Sequence, residues 1–173
     1  MDFFDLVQKR RSVRKFSTEK VPDKVILKSL KSALLAANSS NLQPWEFYWV
    51  KDKHKKNKLI EACFSQNAAK TAQELIVSVS RIDTWKRNKN LLIENYKQKG
   101  KLLPIIDNYY NKVIPYSYYH DMFGIAVTFK RCVSLFTAIA GYFRPVPRGP
   151  ISKRDLFEIV TKTTALACQN FMM

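Results

Sequence analysis

Apolar residues recur along this chain at two spacings, and the switch between them marks its elements. Phe3, Phe4, Leu6 and Val7 give residues 2 to 9 one apolar side, the pattern of a short helix. Pro22 suits a first helical position and Asp23 a first turn. Val25, Ile26, Leu30, Ala33, Leu34 and Ala37 then keep the spacing of one helical face. That helix is predicted to end near Asn38, where a polar turn begins. Trp45 to Val50 alternates, with Trp45, Phe47 and Trp49 on one side, and reads as a strand. Lys53 to Phe64 and about Asn67 to Gln73 read as helices, and Leu75 to Val79 as a short buried strand.

The second half is less regular. A helix is predicted over 84–97, followed by a long mobile excursion through Pro104 and Pro115. Tyr118 to Ala140 reads as a core helix. Tyr142 to Pro150, with three prolines and with Arg144 and Arg148, reads as a loop. Ser152-Lys153-Arg154-Asp155 resembles a capping box with Asp in place of Glu. It introduces a last helix, on which Leu156, Ile159, Val160, Thr163, Ala167, Asn170 and Phe171 share helical spacing. The apolar run stops at Met173 without a glycine or polar tail, which predicts either a lost C-terminal part or a partner covering this face.

Composition narrows the picture. With 173 residues, 46% of them hydrophobic, the chain can bury a core, and one domain with an excursion at about 81–117 is the simplest organisation. The formal charge of +16 attracts phosphates, nucleic acids or anionic surfaces, but the basic residues are scattered and mostly read as solvated faces. Cys63, Cys132 and Cys168 form no CxxC and no even set, which argues against disulfides and zinc and for a reducing, cytoplasmic setting. His54 and His120 are the only histidines, so no metal site is expected. Lys130 and Arg131 interrupt the most apolar window, Phe123 to Phe143. Those charges argue against a membrane span and for a buried or interface helix. Four glycines leave no GxGxxG or P-loop.

Candidate chemistry lies in two places. Arg10-Arg11-Ser12-Val13-Arg14 packs three guanidiniums and a hydroxyl into five positions, which suits a phosphate; a basic helix end is the alternative. Ser39-Ser40-Asn41-Leu42-Gln43 can offer amides and hydroxyls to a planar heterocycle, or can simply be a capped loop. Together they suggest a phosphorylated, planar cofactor. Pro44 and Trp45 read as the end of the turn and the anchor of the strand. Tyr109, Tyr110, Tyr116, Tyr118 and Tyr119 could line a channel, pack an excursion or make a dimer contact. Lysines interleaved with aromatics over 96–119 also permit a nucleic-acid-binding module, although no recognised module is present. Cys168 reads as a small core residue and His120 as a helix-start residue.

These two motifs, followed in order by Ala165-Leu166-Ala167-Cys168-Gln169-Asn170, resemble the nitroreductase family of FMN-dependent oxidoreductases. The resemblance implies an α+β fold, a nitroreductase-like central sheet flanked by helices, in an intertwined homodimer with FMN at the subunit interface. It implies that Arg10 and Ser12 contact the FMN phosphate or ribityl chain. Arg11 and Arg14 would lie along the ribityl chain and ring edge. Ser39, Ser40 and Asn41 would reach the flavin of the other subunit. Asn67 and Lys70 resemble an Asn-x-x-Lys pair at the pyrimidine edge. The flavin does the chemistry, so no catalytic acid, base or nucleophile is expected. Lys70 and Arg14 would stabilise negative charge near N1 and O2. The implied activity moves electrons from NAD(P)H to nitroaromatic, quinone or related small-molecule acceptors. The family continues past the Gln-Asn helix with a strand, a Pro- and Gly-containing loop and a basic C-terminal strand. A truncated member with weak catalysis is therefore the alternative.

Overall fold

Asp2 starts the first helix, α1 (Phe3–Lys9). Its carboxylate accepts from the Asp5 N–H at 2.8 Å, and the Asp5 carboxylate accepts in return from the Asp2 N–H. The computed structural model describes residues 2–121, 123–146 and 149–173, and their contacts divide into two units. The first holds residues up to Asn38, Trp45–Val79 and Thr163–Met173; the second holds Ser39–Pro44 and Ser80–Lys162. The fold class is α+β, as the sequence predicts: mostly helices with a two-stranded sheet.

In the first unit, α2 (Asp23–Leu34) takes Pro22 as its cap, one position outside the expected placement. It also stops four residues before Asn38. The reason is local: the Leu35 and Ala36 N–H groups bond back to the Ser32 and Ala33 carbonyls, a tighter closing turn, and the Asn38 amide donates to the Ala36 carbonyl at 3.2 Å. Strand β1 (Trp45–Val50) has the predicted bounds, and β2 (Leu75–Ser80) runs one residue further than predicted. The strands are antiparallel: Pro44 at the start of β1 accepts from Arg81 after the end of β2, and Trp49 near the other end donates to Glu74. Between them lie α3 (Lys53–Ala62) and α4 (Asn67–Thr71), both shorter than expected. Phe64 and Ser65 adopt φ of 54° and 53°, and the Ser65 N–H bonds to the Ile60 carbonyl, so α3 closes with a left-handed stop built without glycine. Glu74 accepts from Trp49 Nε1 at 2.7 Å and from Lys56 Nζ at 3.2 Å, and the Trp49 bond chiefly holds its carboxyl below the ordinary value. The core here is small: Ala33, Ala36, Trp45 and Ala167, with Phe47 and Phe171 against them.

The second unit corrects three expectations. The excursion after α5 (Trp85–Gln98), expected as helix and loop and read as mobile, is largely helical. It folds as α6 (Pro104–Asn108), a π-helical turn (Tyr109–Val113) and α7 (Ile114–Tyr118). Pro104 stands in a first turn, where the missing N–H has no helical partner to lose, and Pro115, the second residue of α7, follows the wider π-helical turn. Tyr110, Ile114 and Tyr118 then join Leu42, Ile93, Leu156 and Val160 in one core. The helix expected over Tyr118–Ala140 is broken, and its main part is α8 (Ile125–Ala140). Gly124 at φ 78° precedes α8, and the Asp121 carboxylate caps it by accepting from the Ile125 and Ala126 N–H groups at 2.8 and 2.7 Å. Nor is α8 a core helix: Lys130 is its buried residue, while Phe129 and Phe136 face outward. His120 lies in the link before α8, where its Nδ1–H donates to the Tyr118 carbonyl at 3.1 Å. Pro147 and Arg148 of the expected loop lie outside the described residues.

Helix α9 (Lys153–Met172) starts as the sequence predicts. The Asp155 N–H donates to Ser152 Oγ, and the Asp155 carboxylate accepts from the Ile151 and Ser152 N–H groups, both at 2.9 Å. Leu156, Val160, Thr163 and Ala167 are buried along it. Among the described residues no helix is long and apolar enough to cross a membrane.

Leu42 is 1% exposed, so Leu42→Ala should cost about 2–5 kcal/mol, read as a lower urea midpoint. Asp155→Ala should cost about 1 kcal/mol at pH 7. The backbone bonds of Ser152 and Ile151 depress the Asp155 pKa, so its contribution is present at neutral pH and lost as pH falls through the folded value. Urea midpoints of the wild type and Asp155→Ala should therefore converge below the ordinary aspartate value of 3.8.

Candidate functional site

Residues 10–20 belong to no helix or strand, and all are exposed. Two tertiary bonds locate this stretch. The Phe16 N–H donates to Thr71 Oγ1 at 2.9 Å, and the Gln73 side-chain amide donates to the Ser17 carbonyl at 3.2 Å. Thr71 Oγ1 in turn donates to the Asn67 carbonyl at 2.7 Å, one turn earlier in α4. The hydroxyl is thereby oriented, with a lone pair left for Phe16. This arrangement lays the basic segment beside α4. Arg14, two residues before Phe16, and Lys70, the residue before Thr71, flank one hydrogen bond.

The predicted residues differ in their surroundings. Arg10, Ser12 and Arg14 are exposed, and residues 10–18 contain no carboxylate, so the segment offers donors whose chemistry fits a phosphate dianion. Arg11 is placed differently: its guanidinium donates to the Gln8 and Arg10 carbonyls and closes the C-terminal end of α1. For Arg11 the helix-end reading describes the position found. Asn67 and Lys70 are exposed on α4.

The polar turn belongs to the second unit, where Ser39–Asn41 forms a short 3-10 turn. Ser40, Asn41 and Gln43 have φ of 56°, 51° and 45°, a left-handed conformation costing about 1 kcal/mol or more per non-glycine residue. What holds it is a set of bonds from distant residues. The Tyr110 hydroxyl donates to the Ser40 carbonyl at 2.9 Å, and the Tyr109 hydroxyl lies 2.6 Å from Ser40 Oγ. The Asn88 amide donates to the Leu42 carbonyl at 2.8 Å. Burial pushes the Tyr110 phenol up to about 12, so it stays a donor at any physiological pH. With these carbonyls satisfied and Leu42 in the core, Ser39 and Asn41 remain exposed.

Sequence reasoning missed the residues that position the site: Thr71, Gln73, Asn88 and the two tyrosine hydroxyls. Tyr109 and Tyr110 stood out only as part of an aromatic run, and nothing in their spacing pointed to residue 40. Among the described residues no cluster of three or more His, Cys, Asp or Glu could hold a metal ion. Cys168 is half-buried and its thiol donates to Ser78 Oγ at 3.3 Å.

A family model described as the nitroreductase family matches residues 7–173. Iodotyrosine deiodinase 1 of Homo sapiens is 44% identical over 63 residues, 35% of this chain and 22% of that protein. A NADH dehydrogenase of Thermus thermophilus is 38% identical over 69 residues, 40% of this chain and 34% of that protein. The chain thus spans about a third or less of the length of these two relatives. A protein of Exiguobacterium sibiricum solved in complex with FMN superimposes with a TM-score of 0.64 at 21% identity. That match covers 99% of this chain and 68% of the other. At that identity the likeness concerns the fold.

Thr71→Val keeps the shape and removes the acceptor for Phe16. Exchange of the Phe16 amide should rise to that of an open peptide, and trypsin should cut after Arg14 and Lys15 several times faster, about the effect of a 1 kcal/mol bond. Unchanged protection at Phe16 would show that the bond does not hold the segment in solution.

Proposed function

The chain belongs to the nitroreductase family, and on that premise we propose that it is an FMN-dependent oxidoreductase carrying electrons from NAD(P)H to nitroaromatic, quinone or related small-molecule acceptors. The observation that carries this reading is the bond between Phe16 and Thr71, which lays a carboxylate-free, guanidinium-rich segment beside the helix bearing Asn67 and Lys70. In this reading Arg10 and Ser12 hold the phosphate, as a rigid fork and a hydroxyl suited to its oxygens. Arg14 lies along the ribityl chain and ring edge, and Arg11 steadies the start of the segment from the end of α1. Asn67 and Lys70 meet the pyrimidine edge. Ser39, Ser40 and Asn41 act on the flavin of a second subunit in a homodimer, presented by a turn that Tyr110 and Asn88 keep in shape.

When bound, FMN supplies the hydride and electron chemistry. The protein's part is electrostatic. Lys70 and Arg14 place positive charge where reduction leaves negative charge, which raises the tendency to accept electrons. No side-chain acid or base is required for that role. The half-buried or exposed, unpaired thiols suit a cytoplasmic location. The stretch shared with a deiodinase favours a second acceptor class, halogenated phenols, at the same site.

Titration of the purified chain with FMN at low salt should quench flavin fluorescence and raise the melting temperature. Arg10→Met should weaken that binding at least about tenfold. Lys70→Met should shift the bound flavin to a more negative reduction potential with a smaller change in affinity. NAD(P)H oxidation in the presence of FMN, with a nitroaromatic, a quinone and a halophenol compared, then ranks the acceptors. No spectral or thermal response to excess FMN would overturn the proposal.

A further inference from the structure

The ammonium of Lys130 is the feature that the flavin reading leaves unexplained. Lys130 is 3% exposed in a helix whose phenylalanines face outward. Its Nζ donates to the Ser117 and Tyr119 carbonyls at 3.1 and 2.8 Å and lies 5.5 Å from the centre of the Tyr116 ring. An ammonium has three donors, so two carbonyls leave one N–H over. Among the described residues no carboxylate pairs with it. Asp121, the nearest acid along the chain, commits both oxygens to the start of α8. Desolvation draws the Lys130 pKa below its ordinary value, the response of a buried charge without a counter-ion.

Lys130 lines a cavity of about 520 Å³ whose other walls include Tyr116, Tyr119, Phe123, Phe129 and Asp121, the last with both carboxylate oxygens taken by the Ile125 and Ala126 N–H groups. Phe123 and Phe129 are largely exposed, so the cavity opens to solvent. We propose that this cavity binds a small aromatic carboxylate, its ring among Tyr116, Tyr119, Phe123 and Phe129 and its carboxylate on the Lys130 ammonium. The volume lies within the range of small-ligand sites. One spare donor in mostly apolar walls suits a monoanion, whereas a phosphate dianion would lose its hydration for a single hydrogen bond and meet twice the repulsion from Asp121. The carboxylate supplies the missing counter-charge, and the rings supply the apolar contact that a hydrated inorganic anion cannot use. All the residues belong to the second unit, and none is assigned to the flavin, so the site stands whether or not the FMN proposal holds.

Calorimetric titration of the full chain with 2-naphthoate, in the presence of excess FMN, tests the site against its neutral isostere 2-naphthamide. Naphthoate should saturate one site and bind at least about tenfold more tightly than the amide, the effect of one charge-assisted hydrogen bond. Lys130→Met should abolish that preference and retain amide binding. Lys112→Met, which removes an exposed charge of the same element-rich region, should leave it intact. If Lys130→Met does not fold, Phe123→Asp decides: a carboxylate on this exposed wall should weaken naphthoate binding and spare the amide. Equal affinity for acid and amide, no binding of either, or a preference that survives Lys130→Met or Phe123→Asp would overturn the site. Equal loss from Lys112→Met would show general attraction to a basic protein and overturn it as well.

Discussion

A threonine hydroxyl and a glutamine amide fix where the basic segment of this protein lies. Residues 10–20 have no repeating hydrogen bonds and no burial to restrain them, and fixing one residue of backbone costs about 1–2 kcal/mol. Arg10, Arg11, Arg14 and Lys15 also repel one another. The bonds from Phe16 to Thr71 and from Gln73 to Ser17 offset part of that cost and select one side of α4 for the segment. An anion that neutralises the guanidiniums would offset more of that cost, which is the physical reason that an anionic ligand and this stretch suit each other.

The turn at Ser39–Asn41 is positioned by the same means in the second unit. Its left-handed residues are unfavourable alone, and hydroxyl and amide groups of residues 88, 109 and 110 hold them by hydrogen bonds, with Leu42 as the buried anchor. In both places a polar segment without secondary structure takes its shape from side chains far away in sequence. On the proposed function, ligand binding would depend on these positioning residues as well as on the groups that meet the ligand. Substitutions at Thr71 or Tyr110 act on the site through the position of others.

Local order was legible where local chemistry decides it. The alternation of Trp45, Phe47 and Trp49 gave the bounds of β1, and Ser152 with Asp155 gave the start of α9. Prolines misled because their sign depends on position: Pro104 and Pro115 stand in helices that a reader scanning for breakers would dissolve. Helix ends misled because Phe64 and Ser65 adopt a conformation usually left to glycine. α8 misled because apolar content suggests burial, whereas here the lysine is inside and the phenylalanines are outside. Residue types at the candidate site could be named from sequence because guanidiniums, hydroxyls and amides have fixed chemistry. The bonds that orient them are tertiary, and no spacing encodes them.

The outward side of α8 has a consequence for how the protein behaves as a solute. Phe129, Leu135, Phe136 and Ile139, with Tyr142 and Phe143 beyond, leave a row of oily side chains in water. A net charge of +16 opposes their coming together, because molecules of like charge repel at long range. That repulsion is screened within about 8 Å at physiological ionic strength, while the attraction between oily surfaces is not. Association through this particular face is therefore favoured by added salt and opposed in a dilute, low-salt buffer.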